Sequence, residues 1–269
     1  MTWDIQTATE EQLVNLCEQA GDERIGGDIG GNWVIKLSDE IAVKFGYGVT
    51  PAEAATQEFA YRHVDPSIVR VPRVYRYFQV PTKLSRPKGY LFMDYIPGPT
   101  LKDLDLEENQ DIIPRVANII AHLGQIPGGQ SPGPVGNGYQ QGYLWGDDGA
   151  ETIFHSVQDL NASLNKRLVI RKLSIDLTPY PLVLCHMDLC RRNMILRETG
   201  DIWLVDWGHA GLLPRFFEIA TITCLNPYDK PYQKPLLEAA EQAVGLTEEE
   251  RGLVKLLHIA RAMSLRYLL

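Results

Sequence analysis

A break at Ile96-Pro97-Gly98-Pro99 divides the chain into two stretches of different periodicity, and this constrains the fold most. Two prolines and a glycine in four residues continue neither a helix nor a sheet ladder. Before the break the chain reads mainly as strands. Residues 32–37 and 41–45 form an expected hairpin across Ser38-Asp39-Glu40, and 71–80 and 89–95 are further strands. A short helix is expected from a capping box at Thr7-Ala8-Thr9-Glu10 through Leu13, Leu16 and Cys17 to Gly21. A second starts at Thr50-Pro51-Ala52-Glu53 and runs to about Val64, supported by Ala55, Phe59 and Ala60.

After the break the pattern is mostly helical, over 101–123, 150–175 and a tail from about 234 to 269 with a capping signal at Thr247-Glu248-Glu249-Glu250. A Gly/Pro-rich loop fills 126–149, and 182–185 and 202–205 read as short apolar strands. The expected fold class is α+β with two lobes. A small antiparallel sheet with its helix occupies residues 1–95, and a mainly helical lobe occupies 96–269, with a cleft between them.

A length of 269 residues suits such a pair of lobes. Twenty-six Lys and Arg against 34 Asp and Glu give a net charge of −8, which argues against a nucleic-acid partner. No apolar run reaches the ~18 residues of a membrane span, and Met-Thr-Trp-Asp-Ile-Gln does not begin like a signal peptide. Cys17, Cys185, Cys190 and Cys224 have no CxxC spacing, so a reduced, cytoplasmic chain without structural zinc is expected.

The chemistry concentrates in Leu184-Cys185-His186-Met187-Asp188-Leu189-Cys190-Arg191-Arg192-Asn193-Met194-Ile195-Leu196, followed by Leu204-Val205-Asp206-Trp207-Gly208. Phosphoryl transfer needs a carboxylate to take the proton of the attacking hydroxyl. It also needs an amide oxygen and a second carboxylate on magnesium, and a lysine on the phosphates held by a helical glutamate. Lys44, an acidic helix, Asp188, Asn193 and Asp206 supply these parts in workable order.

The pattern His-x-Asp-x4-Asn followed by Asp-Trp-Gly resembles the aminoglycoside phosphotransferase and choline kinase superfamily, whose fold is protein-kinase-like. The chain is most similar to that superfamily's fungal phosphotransferase-like branch. Ile41-Ala42-Val43-Lys44-Phe45 looks like the family's lysine strand. Tyr90-Leu91-Phe92-Met93-Asp94-Tyr95-Ile96-Pro97-Gly98 looks like its interlobe hinge, and Ala210-Gly211, Pro214 and Glu218 look like the segment after its metal-binding aspartate.

The resemblance implies ATP and magnesium as cofactors. It casts Asp188 as catalytic base, Asn193 and Asp206 as metal ligands, and Lys44 on the nucleotide phosphates. Glu53 is expected to hold Lys44, with Glu58 as the competing residue. Gly30 and Gly31 could present backbone N–H groups to phosphate or form a plain turn. The hinge, Asp94 and Ile96 included, is expected to read adenine through its backbone. His186 reads as a structural anchor, and Cys185 and Cys190 as packing.

Three departures favour a small-molecule acceptor over a protein: Cys190 stands where protein kinases carry a lysine, no Ala-Pro-Glu follows Asp206, and 144 positions separate Lys44 from Asp188. The expected partner is a hydroxylated small molecule, cationic rather than anionic, because 103–111 carries five acids and no base. Acids opening a helix are as readily a solvated face. The alternatives are a catalytically silent nucleotide-binding protein and a protein kinase.

Overall fold

The computed structural model describes residues 4–20, 24–27, 31–83, 86–146, 149–225 and 228–267. Its first part holds a five-stranded antiparallel sheet in the order β1-β2-β3-β5-β4, formed by β1 (Arg24–Gly27), β2 (Trp33–Lys36), β3 (Ile41–Gly46), β4 (Val74–Val80) and β5 (Lys88–Asp94). Strand β3 is central and is buried over nearly its whole length. Alternation along it sends Val43 and Phe45 one way and Lys44 the other. On the first face, Leu13 and Cys17 of α1 (Glu10–Gln19) close a small core with Ile35, Val43, Phe45, Phe78, Tyr90 and Phe92. On the other face Lys44 meets α2 (Pro51–His63).

The α1 box is formed by Thr9 and Gln12, two positions later than the sequence suggested. Gln12 can return a hydrogen bond to the Thr9 amide, whereas Glu10 is the first helical residue.

The second part is held by one large core, into which Ala60, Val69 and Val71 of the first part also pack. Its helices are α3 (Ile112–Leu123), α4 (Val157–Leu168), α5 (Phe216–Ile222), α6 (Lys230–Val244) and α7 (Glu248–Tyr267). Three sequence expectations are corrected here. Helix α3 starts at Ile112, not near 101, because Pro114 lacks an N–H and is tolerated only in a first turn. Only a single 3-10 turn, Leu101–Asp103, precedes it. The expected 150–175 helix shrinks to α4, whose Ser156–Asp159 capping box fixes the start. The tail is two helices, divided where Gly245 takes a left-handed conformation at the end of α6.

Two short ribbons position the site. Strand β6 (Val183–Cys185) pairs with β9 (Gly211–Leu213), and β7 (Met194–Leu196) pairs with β8 (Ile202–Leu204), both antiparallel. The segment from His186 to Asn193 leaves β6 and enters β7, while the segment around Asp206 links β8 to β9. The two ladders thus set these segments side by side. The Pro-Gly break docks on the same framework, with Leu196 N–H donating to Pro99 O at 3.0 Å. Gly98 has φ 145°, and a side chain there would strike Leu196 O at 2.6 Å. No helix among the described residues is long and apolar enough to cross a membrane.

Candidate active site

Lys44 is the hub of the sheet side of the cleft. It is 7% exposed, and a buried ammonium is tolerable only if paired. Its Nζ lies 2.5 Å from Glu53 Oε1 and 2.8 Å from Asp206 Oδ1. Burial alone would lower the Lys44 ammonium, but these two carboxylates hold it above its ordinary range. Desolvation would raise Asp206, yet Lys44 keeps its carboxyl well below the usual range. Burial raises Glu53 against the pull of Lys44.

The choice between Glu53 and Glu58 is settled by the α2 cap. Thr50 accepts a hydrogen bond from Glu53 N–H at 3.1 Å, but the Glu53 side chain does not return to the cap and goes to Lys44. Glu58 pairs with Arg62 on the outer face.

Asp188 lies on the other side of the cleft and is 4% exposed. Tyr143 OH donates to its Oδ1 at 3.1 Å and Arg192 Nη2 to its Oδ2 at 3.1 Å. His209 Nδ1 stands 4.0 Å from Oδ2 and has no hydrogen-bond partner of its own. The Asn193 amide nitrogen donates to Asp188 O at 2.9 Å, and Val205 N–H donates to Asn193 O at 2.9 Å.

His186 is fully buried, and burial pushes its imidazole down to about 4, so it stays neutral. It bonds Val205 O at 3.1 Å through Nε2, accepts Asp188 N–H at 3.3 Å through Nδ1 and packs edge-on against Trp207. It therefore ties the Asp188 segment to the Asp206 segment. Burial raises the thiols of Cys185 and Cys190 well above their ordinary value, which keeps them as packing groups.

A cleft of about 1010 Å³ joins the two sides and is lined by Lys44, Glu53, Asp188 and Asp206. Tyr143, Arg192 and His209 also line it, and none of the three was singled out from the sequence. Tyr143 lies in the aperiodic 126–149 loop and His209 gave no ligand spacing. Arg192 stood inside the decisive run, but its direction could not be read from spacing. Of the glycine turn, Gly31 is exposed, while Gly30 lies outside the described residues. Residues 103–111 line no part of the cleft. Asp103 instead closes the cap at Thr100, and Asp111 pairs with Arg115.

Neither Asp94 nor Ile96 is among the lining residues. The Asp94 carboxylate accepts from Arg73 N–H at 2.7 Å and from Tyr75 OH at 2.6 Å, a bond that pushes the tyrosine up to about 12. Asp94→Ala is therefore expected to lower the melting temperature, through loss of two hydrogen bonds worth about 1 kcal/mol each. Titration calorimetry with Mg-AMP-PNP should show little change in affinity. A loss of about tenfold, ~1.4 kcal/mol, would assign the side chain to nucleotide recognition.

The donor set suits a hard cation. With its nitrogen committed to Asp188 O, Asn193 has its amide oxygen left to offer. Asp206 is 43% exposed and has given only Oδ1 to Lys44. One amide oxygen and one carboxylate leave further positions for phosphate and water, the pattern magnesium prefers. No group of three or more His, Cys, Asp or Glu among the described residues could hold a metal unaided.

Glu218 of α5 holds the His186–Asn193 loop from behind. It is 3% exposed and accepts His186 N–H at 2.5 Å and Met187 N–H at 3.0 Å. Burial pushes its carboxyl from 4.5 up to about 7 against those two donors. Between these values the native chain binds a proton that the unfolded chain does not. The resulting stabilisation is full below about pH 4.5 and lost as pH rises through about 7. Thermal melts across that window should show stability falling faster with pH in the parent than in Glu218→Gln, which does not titrate. Parallel slopes would remove Glu218 as the titrating group.

A family model described as the phosphotransferase enzyme family matches residues 25–255. Among solved structures, the chain is similar to the aminoglycoside phosphotransferase APH(4)-Ia at 14% identity, covering 95% of this chain and 90% of that one with a TM-score of 0.54. It is also similar to amicoumacin kinase hAmiN, at 13% identity, 98% and 86% coverage and a TM-score of 0.55. A choline/ethanolamine kinase family protein from Mesorhizobium loti gives 17% identity, 94% and 82% coverage and a TM-score of 0.51. These likenesses show a kinase-like fold. Comparison with curated proteins gives no match. Since the family model runs unbroken from inside β1 to inside α7, through both sides of the cleft, the chain belongs to the phosphotransferase enzyme family.

Proposed function

We propose that the chain is a small-molecule kinase that moves the γ-phosphoryl group of ATP to a hydroxyl group. The observation that carries this reading is the meeting of Lys44, Asp206 and Asp188 round one cleft, with Lys44 bonded to Asp206 at 2.8 Å. In this reading Lys44, steadied by Glu53, neutralises the nucleotide phosphates. Asn193 and Asp206 hold magnesium, which supplies charge compensation on the phosphates when bound. Asp188 orients the acceptor hydroxyl and receives its proton. The glycine turn at Gly30 and Gly31 is assigned to the phosphates, and the hinge backbone at Asp94 and Ile96 to adenine. The complex of amicoumacin kinase with AMP-PNP, Ca2+ and Ami supports the nucleotide and metal parts.

For the acceptor, the exposed acidic run gives no help. The lean towards a cationic molecule rests instead on Glu151, Tyr139 and Tyr143, which line the cleft. A carboxylate beside aromatic faces is suited to an ammonium group. The test is acceptor-dependent ADP release from Mg-ATP across hydroxylated amines and neutral sugars, with the hits repeated at raised salt. A KM that rises with ionic strength for an amine, more than the KM for Mg-ATP does, supports an acid-held cation. Absence of Mg-nucleotide binding would overturn the kinase reading itself.

A further inference from the structure

Helix α4 outruns the core that it covers. Its buried residues, Leu160, Leu164, Arg167 and Leu168, recur at helical spacing and face inward. The same face continues at Arg171, which is exposed. Residues 169–174 are all exposed, so the single 3-10 turn Val169–Arg171 stands clear of the body. Apolar side chains gather on this tip. Val169 is 64% exposed, Ile170 40% and Leu173 38%. Exposed apolar residues scattered singly need no explanation, but a contiguous patch marks a contact surface.

The charge around the patch is one-sided. Lys166 shares a helical face with Val169 and Ile170, which lie three and four positions on, and Arg171 and Lys172 interleave with the apolar residues. From Leu160 to Ile175 the sequence has four bases and no acid, in a chain of net charge −8. The acids nearest along the chain are engaged: Asp159 closes the α4 cap, and Asp176 accepts from Asn161 at 2.9 Å and from Thr178 N–H at 3.0 Å. From another element, Glu151 stands by the inward Arg167. Among the described residues, Lys166, Arg171 and Lys172 form no ion pair. Lys172 also has φ 56°, at the position after a helix where glycine is the usual residue. Its N–H donates to Val169 O at 2.9 Å, and Leu173 N–H donates to Leu168 O at 3.2 Å. A lysine there forgoes the relaxed backbone of glycine and keeps a cation at the tip.

Aliphatic side chains ringed by ammonium and guanidinium groups match a bilayer with anionic headgroups. The aliphatics enter the boundary of the acyl chains, and the bases meet the headgroups. A protein partner is met instead by a broad patch with aromatic anchors, and residues 166–174 include no aromatic. Salt confines the pull or push of the remaining charges to about 8 Å, so the bases of the tip decide what it meets. We propose that residues 166–173 are a docking surface for an anionic lipid bilayer, on which the chain lies without spanning it. The docking goes beyond the kinase reading and does not depend on it.

Co-sedimentation with lipid vesicles tests this. The full chain is mixed with vesicles of phosphatidylcholine alone, or of phosphatidylcholine and phosphatidylserine in equal parts, at low and raised salt. The expected result is binding to the mixed vesicles that weakens with salt, and little binding to phosphatidylcholine. Val169→Ser with Ile170→Ser, and separately Arg171→Gln with Lys172→Gly, should each lower the partition coefficient about tenfold or more. Lys172→Gly alone should weaken binding while the melting temperature stays at or above that of the parent, which separates docking from folding. Equal binding to both vesicles, no binding to the mixed ones, or variants that bind as the parent does would overturn the proposal. So would a parent dimer in velocity ultracentrifugation that Val169→Ser with Ile170→Ser dissolves, since the patch would then belong to a second copy. Mg-ADP titration of the same variants should match the parent, so the kinase reading stands or falls separately.

Discussion

Asp188→Asn should lower kcat by at least ~10²-fold, the contribution expected of a positioned general base, while Mg-ADP still binds. Asparagine fills the same volume and still offers an oxygen to Tyr143 or Arg192, so the loop keeps its shape. The backbone of residue 188 also keeps its bonds to His186 and Asn193. What disappears is the basic oxygen assigned to receive the acceptor's proton. Turnover is measured with an acceptor found by ADP release, and fold integrity by Mg-ADP titration. A kcat within a few-fold of the parent would deny Asp188 its role.

The effect of Asp206→Ala should be larger, because it removes two functions at once. The carboxylate is both the second partner of Lys44 and the charged half of the Asn193–Asp206 donor set. Phosphoryl transfer relies on neutralising phosphate charge, so turnover should become undetectable. Magnesium should also cease to strengthen nucleotide binding. The chain should survive the change, since Lys44 remains bonded to Glu53 at 2.5 Å. Calorimetry with AMP-PNP, with and without magnesium, checks this. An unchanged metal dependence in the variant would place the metal elsewhere.

The parts of the site that could be read from the sequence are those fixed by local backbone geometry. The interval from Asp188 to Asn193 is one loop between two strands, and its spacing points to both residues only together with Lys44 and Asp206 in their order along the chain. Glu53 is preferred to Glu58 by the resemblance and by the solvent-suited neighbours of Glu58, Tyr61 and Arg62. Its position three residues after Thr50 also suits a cap, which its side chain leaves for Lys44. Tyr143 was not legible: it reaches Asp188 across 45 positions from a loop with no period.

The short elements failed for a related reason. Strands β7 and β9 have three residues each and α5 has seven, too few for a repeat to show. They exist because their partners and the large core hold them. The α3 start is marked by Pro114, but the apolar and acidic alternation before it mimics a helix.

The left-handed backbone at Asp206, with φ 66° and ψ 72°, has a consequence for laboratory evolution. A non-glycine residue in that region carries a strain on the order of 1–3 kcal/mol, and glycine would relieve it. Asp206→Gly also removes the carboxylate from buried Lys44, and the loss of a buried ion-pair partner costs more than the strain it relieves. The strained backbone is thus held by the pair, and a library sorted for heat resistance alone is expected to keep Asp206. At this position selection for stability and selection for activity pull the same way, so substitutions here should be rare survivors of either sort.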